Sequence, residues 1–304
     1  MKFRLAISGL ALVGGLSVLL MGCTQAAKPS AAAQAKVHVV ASFDAMAEFA
    51  RAVGGDKVEV ITMTPAGTEP HDFEPKAADM VTLSKAQVFV YNGLGMEAWA
   101  EKAVASANNP KLTVVKASEG ATPIDLTDPA EIKEHGQYDP HLWVSLTGAE
   151  LESRNIAAAL SKVDPANASS YAQNLKAFTD ELEALRTEYQ AKFKAAKSKS
   201  FVTGHAAFAY FCRDFGLEQN SVEDTFAEGE PTAKAIAELV EYCRKHGIKT
   251  IFVEDMVSPA VSKTVASELG GTFETIATIE GPEDGKTYLD RQKENLAKIY
   301  TALD

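Results

Sequence analysis

Apolar positions along the chain fall into two blocks of like design, separated by one long stripe. In the first block, runs that read as strands are VHVVASF (37–43), KVEVITM (57–63), AQVFVYN (86–92) and KLTVVKAS (111–118). Helix-like segments fall between them: DAMAEFARAVGG (44–55), KAADMVTLSKA (76–86) and MEAWAEKAVASA (96–107). In the second block SFVTG (200–204), KTIFVED (249–255) and TFETIAT (272–278) read as strands. They interleave with HAAFAYFCRDFG (205–216), AKAIAELVEYCRKHG (233–247) and PAVSKTVASELGG (259–271), and YLDRQKENLAKIYTAL (288–303) is a final helix. Such alternation with short connections predicts parallel sheets covered by helices.

Between the blocks Tyr171, Leu175, Phe178, Leu182, Leu185, Tyr189 and Phe193 recur every three or four residues. That is one apolar stripe on a helix, which Asp164-Pro165 starts. At about 1.5 Å per residue the stripe spans roughly 33 Å. The fold class is therefore α/β: two (β/α) lobes with parallel sheets, residues 37–164 and 198–304, joined by one long helix at 165–197.

The N-terminus has its own pattern. Met1-Lys2-Phe3-Arg4 is short and basic, Leu5 to Met21 is apolar, and Gly22-Cys23 follows. This reads as a signal peptide (1–22) ending in a lipobox, with Cys23 lipidated on its sulfur and 23–36 as a tether. The protein is then held by a lipid anchor on the extracytoplasmic face of a bacterial membrane. Loss of Lys2 and Arg4 takes the formal charge from −11 to −13. So acidic a chain argues against nucleic acid, whose phosphates need a basic face. Cys212 and Cys243 remain, and an extracellular setting permits a disulfide. Both lie in helical patterns, where cysteine more often serves as a small buried residue.

The candidate chemistry lies in the histidines, of which the chain has 6. His38 sits inside a strand, and His246 in a basic helix end closed by Gly247, which explains it. His135 lies in the polar stretch DPAEIKEHGQYDP, expected to be a mobile loop and at most a transient ligand. The other three share a setting. His71 follows a strand, in the proline-stiffened loop TPAGTEPHDFEP (64–75). His141 stands beside a proline and an acid in YDPHLW (138–143), and His205 directly follows SFVTG. Strand ends and loops are where α/β folds place ligands, and neutral imidazole is the commonest ligand for zinc. A fourth ligand at an equivalent place would be Glu280, Glu254, Asp255 or Asp224. Asp72 and Glu74, beside His71, are expected to favour a cation and to fix the His71 tautomer, with Asp139 beside His141 in a like role. Phe73 is expected to pack and exclude water.

Taken together, PHDFEP (70–75), NGLGMEAW (92–99), DPHLW (139–143), GHAAFAYFCRDFGL (204–217), FVEDMVSP (252–259) and TIATIEG (275–281) resemble a known family. It is the metal-binding lipoprotein component of ATP-driven zinc and manganese importers, the group that includes streptococcal zinc-binding and laminin-binding lipoproteins. The resemblance covers nearly all of the chain beyond the signal peptide. It implies a rigid linking helix, an ion at the lobe interface, and His71, His141 and His205 as ligands. The fourth ligand is an aspartate in many members, where Ala277 stands here, and a glutamate a few residues later in others, which points to Glu280. The histidine-rich loop of many zinc importers is short and acidic here. Manganese carriers tend to place glutamate where His205 stands, so three imidazoles and a carboxylate favour Zn2+ over Mn2+. The expected function is capture of Zn2+ and its delivery to an ABC importer's membrane permease with a cytoplasmic ATPase, by a monomer with no catalytic step. No P-loop, GxSxG or HExxH is present, and Gly93-Leu94-Gly95 lacks the third glycine of a dinucleotide fingerprint. Three alternatives stand beside it: a manganese carrier, a zinc hydrolase with water in the open position, and a surface adhesin.

Overall fold

The computed structural model describes residues 35–227, 231–254, 258–283 and 285–304. The signal segment 1–22, Cys23, the tether 23–36 except its last two residues, and Asp255 lie outside the described residues.

The first block folds as β1 (Val37–Ala41), α1 (Asp44–Gly54), β2 (Val58–Thr62), α2 (Ala77–Leu83), β3 (Val88–Tyr91), α3 (Ala100–Ala107) and β4 (Thr113–Lys116). Then come α4 (Pro129–His135), α5 (Leu146–Val163) and the long α6 (Ala168–Ala195). The second block is β5 (Ser200–Thr203), α7 (Ala209–Phe215), β6 (Glu218–Ser221), α8 (Ala233–His246), β7 (Thr250–Glu254), α9 (Pro259–Glu268), β8 (Thr272–Ile276) and α10 (Tyr288–Leu303). Both sheets are four-stranded and wholly parallel, in the orders β2-β1-β3-β4 and β6-β5-β7-β8. The second sheet thus repeats the winding of the first. In each, strand order reverses beside the first strand, and loops at the carboxyl ends there form a natural crevice.

The stripe expected on the long helix is buried at Tyr171, Phe178, Leu182, Leu185, Tyr189 and Phe193. These residues join one apolar cluster that also holds Phe43, Phe49 and Trp143 from the first lobe and Phe208, Phe211 and Tyr288 from the second. The helix therefore lies along a core common to both lobes. Phe193 has no exposed surface and meets the rings of Tyr189, Phe211, Phe215 and Tyr300. Phe193→Ala is expected to cost about 3–5 kcal/mol in urea unfolding of the metal-free protein. A loss under 1 kcal/mol would mean the helix is not packed as described.

Three elements depart from the sequence reading. The stretch expected to be a mobile loop before His141 contains α4, capped by the Asp128 carboxylate, which accepts from the Ala130 N–H at 2.6 Å. Helix α5 was not foreseen, because Glu152 and Ser153 sit on its buried face and break the apolar stripe. Strand β6 reads EQNS, with no apolar residue to reveal it, and it is the edge of its sheet. Cys212 and Cys243 are buried free thiols, packed in separate apolar clusters.

Candidate metal centre

Each candidate side chain stands on a braced mount. The loop after β2 is tied to the neighbouring strand by Met63 N–H to Ala41 O (2.8 Å) and Thr64 N–H to Ser42 O (2.9 Å). Further on, buried Phe73 meets Trp99 edge-on at 5.5 Å and pins the segment to the core. The prolines stiffen the rest, and the His71 side chain ends 2 % exposed. His141 precedes a tight turn whose Leu142, Trp143 and Val144 are all buried. His205 follows β5, with its carbonyl accepting from Thr203 Oγ1 (2.6 Å) and Gln219 Nε2 (2.8 Å). Glu280 follows β8 through Ile279, whose φ of 65° is left-handed. A β-branched residue there costs on the order of 1–3 kcal/mol and persists only where its surroundings impose it.

These mounts bring four side chains together, each offering one donor atom, all within 4.8 Å of one another. Glu280 Oε1 is the hub. It lies 3.8 Å from His71 Nε2, 3.6 Å from His141 Nε2 and 3.7 Å from His205 Nε2. His71 Nε2 and His141 Nε2 are 3.2 Å apart. Four donors at 2.0–2.1 Å around a tetrahedral ion stand about 3.3–3.4 Å from each other. The set is therefore close to the size a zinc ion requires. Thr278 Oγ1 donates to Glu280 Oε2 at 2.6 Å, which fixes the carboxylate's rotation and leaves Oε1 for the imidazoles.

Buried polar atoms here lack partners. Glu280 Oε1, His71 Nδ1 and both ring nitrogens of His205 have no hydrogen bond. Leaving such atoms unpaired away from water is costly, so the cluster is built for something it can coordinate. His141 is the exception. Its Nδ1 lies 2.9 Å from Asp139 Oδ1, and a carboxylate only accepts, so Nδ1 carries the proton and Nε2 offers its lone pair. Burial, and next the charge of His141, hold His71 well below the usual imidazole range. Burial also opposes charge on His205, but the nearby Glu280 carboxylate and the Glu254 charge outweigh it and push its pKa to about 9. Glu280 is held well below the carboxylate range, since the close approach of the His141 and His205 rings outweighs its burial.

The remaining sequence candidates divide. Asp139 is where expected, buried behind His141, and its carbonyl accepts from Tyr210 Oη of the other lobe at 2.7 Å. Asp72 and Glu74 are exposed, and neither bonds the His71 ring, whose Nδ1 has no partner. The prolines that stiffen the loop turn these acids outward, so the tautomer role expected of them is absent. Glu254 stays outside the cluster. It sits behind His205, accepting from its backbone N–H at 3.3 Å, with Oε1 at 3.6 Å from Nδ1. Asp224 also lies outside, with Oδ1 accepting from the Phe226 N–H at 3.2 Å. His135 stacks on Phe226 with ring centres 3.7 Å apart, and Phe226 meets His71 at 5.2 Å. His38 is exposed and pairs with Glu59, and His246 ends α8.

Sequence reading missed Glu69, whose Oε1 lies 3.4 Å from the His71 backbone N. Burial, and next the Glu280 charge, push its pKa up to about 8. Its place two residues before His71 in the same stiff loop was the available signal. Phe226 and Thr278 were missed too, and nothing local marks them.

Known proteins place the chain. It is 39% identical to a putative metal-binding protein of Treponema pallidum (strain Nichols), over 97% of this chain and 96% of that one. It is 34% identical to the high-affinity zinc uptake system protein ZnuA of Bacillus subtilis (strain 168), over 97% of each. In structure it resembles the laminin-binding protein Lmb of Streptococcus agalactiae, described as bifunctional with adhesin and metal transporting activity. The TM-score there is 0.80 at 34% identity, over 88% of this chain and all of that one. Residues 39–302 match the family model described as zinc-uptake complex component A, periplasmic, and the chain belongs to that ZnuA family of solute-binding proteins.

Proposed function

We propose that the protein captures Zn2+ outside the cytoplasmic membrane and delivers it to an ABC permease driven by a cytoplasmic ATPase. His71, His141, His205 and Glu280 hold the ion. The observation that carries this reading is a single buried carboxylate oxygen, Glu280 Oε1, facing three imidazole Nε2 atoms at 3.6–3.8 Å. Three nitrogens and one oxygen suit zinc, whereas manganese favours oxygen-rich sites. Glu280 occupies the position a hydrolase would keep for water, so the site binds without catalysing. The chain acts as a monomer, tethered by acylated Cys23. Among the described residues no helix is long and apolar enough to cross a membrane. The family membership and the zinc-uptake relative support the same cargo. Competition between zinc and manganese for the metal-stripped protein tests it. Zinc binding that excess manganese does not displace is expected, and manganese preference would refute it.

Loading is coupled to protons. His205 carries a proton below a pKa of about 9, and zinc takes only the neutral ring. Below about pH 9, zinc affinity should therefore rise by at least roughly tenfold per pH unit. Near neutral pH each zinc should release at least one proton, because Asp139 and Glu280 outweigh burial and raise His141 as well; the release is read from binding enthalpies in buffers of different ionisation enthalpy. No release would show that His205 is neutral before zinc arrives. The metal-free fold has the opposite slope. Its folded-state His205 pKa is raised from 6.5, so this stabilisation is full below pH 6.5 and lost as pH rises through about 9.

A further inference from the structure

From Ala277 to Gly281, each successive residue is clamped or strained. Asn295 holds Ala277 at both ends, accepting from its N–H at 3.0 Å and donating to its carbonyl at 2.7 Å. Thr278 O accepts from Trp143 Nε1 at 2.7 Å. Ile279 has a φ of 65°. Glu280 O accepts from the Asp44 N–H at 3.3 Å. Gly281 O accepts from Arg291 at 2.8 Å, and the same guanidinium reaches Asp44 at 2.7 Å.

Arg291 and Asn295 stand one helical turn apart on α10, only 2% and 1% exposed. An arginine and an asparagine buried on a core-facing stripe are costly unless their bonds are needed. Among the described residues, the hydrogen bonds of both side chains go to this turn and to Asp44, which braces it from the other lobe. An isoleucine left to itself would leave the left-handed region, and Glu280, the next residue, would turn with it.

Building on the zinc-carrier reading above, we propose that Asn295 and Arg291 are positioning residues for metal binding. They hold the Ile279 turn in its strained form and so aim Glu280 at the three imidazoles before the ion arrives. Partners that hold a ligand in place are commonly worth about 10–100-fold in metal affinity.

The test compares zinc affinity, by chelator competition, for the wild type, Glu280→Ala, Asn295→Ala and the double variant Ile279→Gly/Asn295→Ala. Melting temperatures of the metal-free proteins are recorded alongside. Asn295→Ala should bind zinc about 10–100-fold more weakly. Glycine adopts a positive φ without strain. The double variant should therefore regain about tenfold of the lost affinity. It should also melt lower than Asn295→Ala, because it lacks the buried Ile279 side chain. Affinity and stability would then move in opposite directions, which a purely structural role for Asn295 does not allow. If Asn295→Ala fails to fold, Asn295→Ser replaces it in the same comparison. Wild-type affinity in Asn295→Ala, or no recovery in the double variant, overturns the inference while leaving the zinc site intact. Wild-type affinity in Glu280→Ala overturns the zinc-site reading itself.

Discussion

Glu280→Ala should weaken zinc binding by about a hundred- to a thousandfold. Four-ligand protein zinc sites bind with apparent free energies of roughly 10–16 kcal/mol, about 2.5–4 kcal/mol per ligand if shared evenly. At 1.36 kcal/mol per tenfold, that share is the stated loss. Glu280 is also the only negatively charged member of the four, so its removal takes away the charge that offsets the ion. The metal-free protein should not suffer equally. Glu280 Oε1 has no hydrogen-bond partner there, and the side chain is fully buried. The alanine variant removes that unpaired atom along with the ligand, and its cost to the metal-free fold is the loss of the charge that faces His205. A chelator-competition titration gives the ratio. Affinity within threefold of the wild type would mean that the carboxylate is not a ligand.

The second large effect is on stability. A ligand that binds only the folded chain stabilises it by RT ln(1 + [L]/Kd), about 4.1 kcal/mol at a thousandfold excess over Kd. For a chain of this size each kcal/mol moves the melting temperature by roughly 2–4 °C, so zinc should raise it by about 10 °C. Manganese at the same concentration should move it far less. Because the apolar core is common to both lobes, the shift should appear as one transition rather than two. Calorimetric scans with and without zinc decide this. A second, unshifted transition would show that the lobes unfold separately and that the ion ties them together only weakly. In His205→Ala the shift should nearly vanish, because the centre loses one of its three imidazoles.

Much of this was legible in the sequence. Short β-branched and apolar runs marked most strands of both lobes, which are largely buried, and apolar positions every three or four residues marked the long helix, which buries one face. Three histidines at strand ends pointed to the centre, and the structure brings them together with Glu280. Illegible elements were those without an unbroken apolar face. Glu152 and Ser153 hid α5, and the polar run Glu218–Ser221 hid β6. The choice of Glu280 over Glu254 depended on a three-residue turn with one left-handed angle, which no local pattern announces. Asp72 and Glu74 show the reverse error. Nearness in sequence suggested contact with His71, but the loop turns them to solvent.

One measurement reaches the central claim most directly. Crystals of the zinc-loaded protein, with diffraction recorded on both sides of the zinc absorption edge, locate the ion without assumption. The expected result is one strong anomalous peak about 2.0–2.2 Å from Nε2 of His71, His141 and His205 and from an oxygen of Glu280. A peak elsewhere, or one at the three histidines with water in place of Glu280, would contradict a closed four-ligand carrier and reopen hydrolytic chemistry.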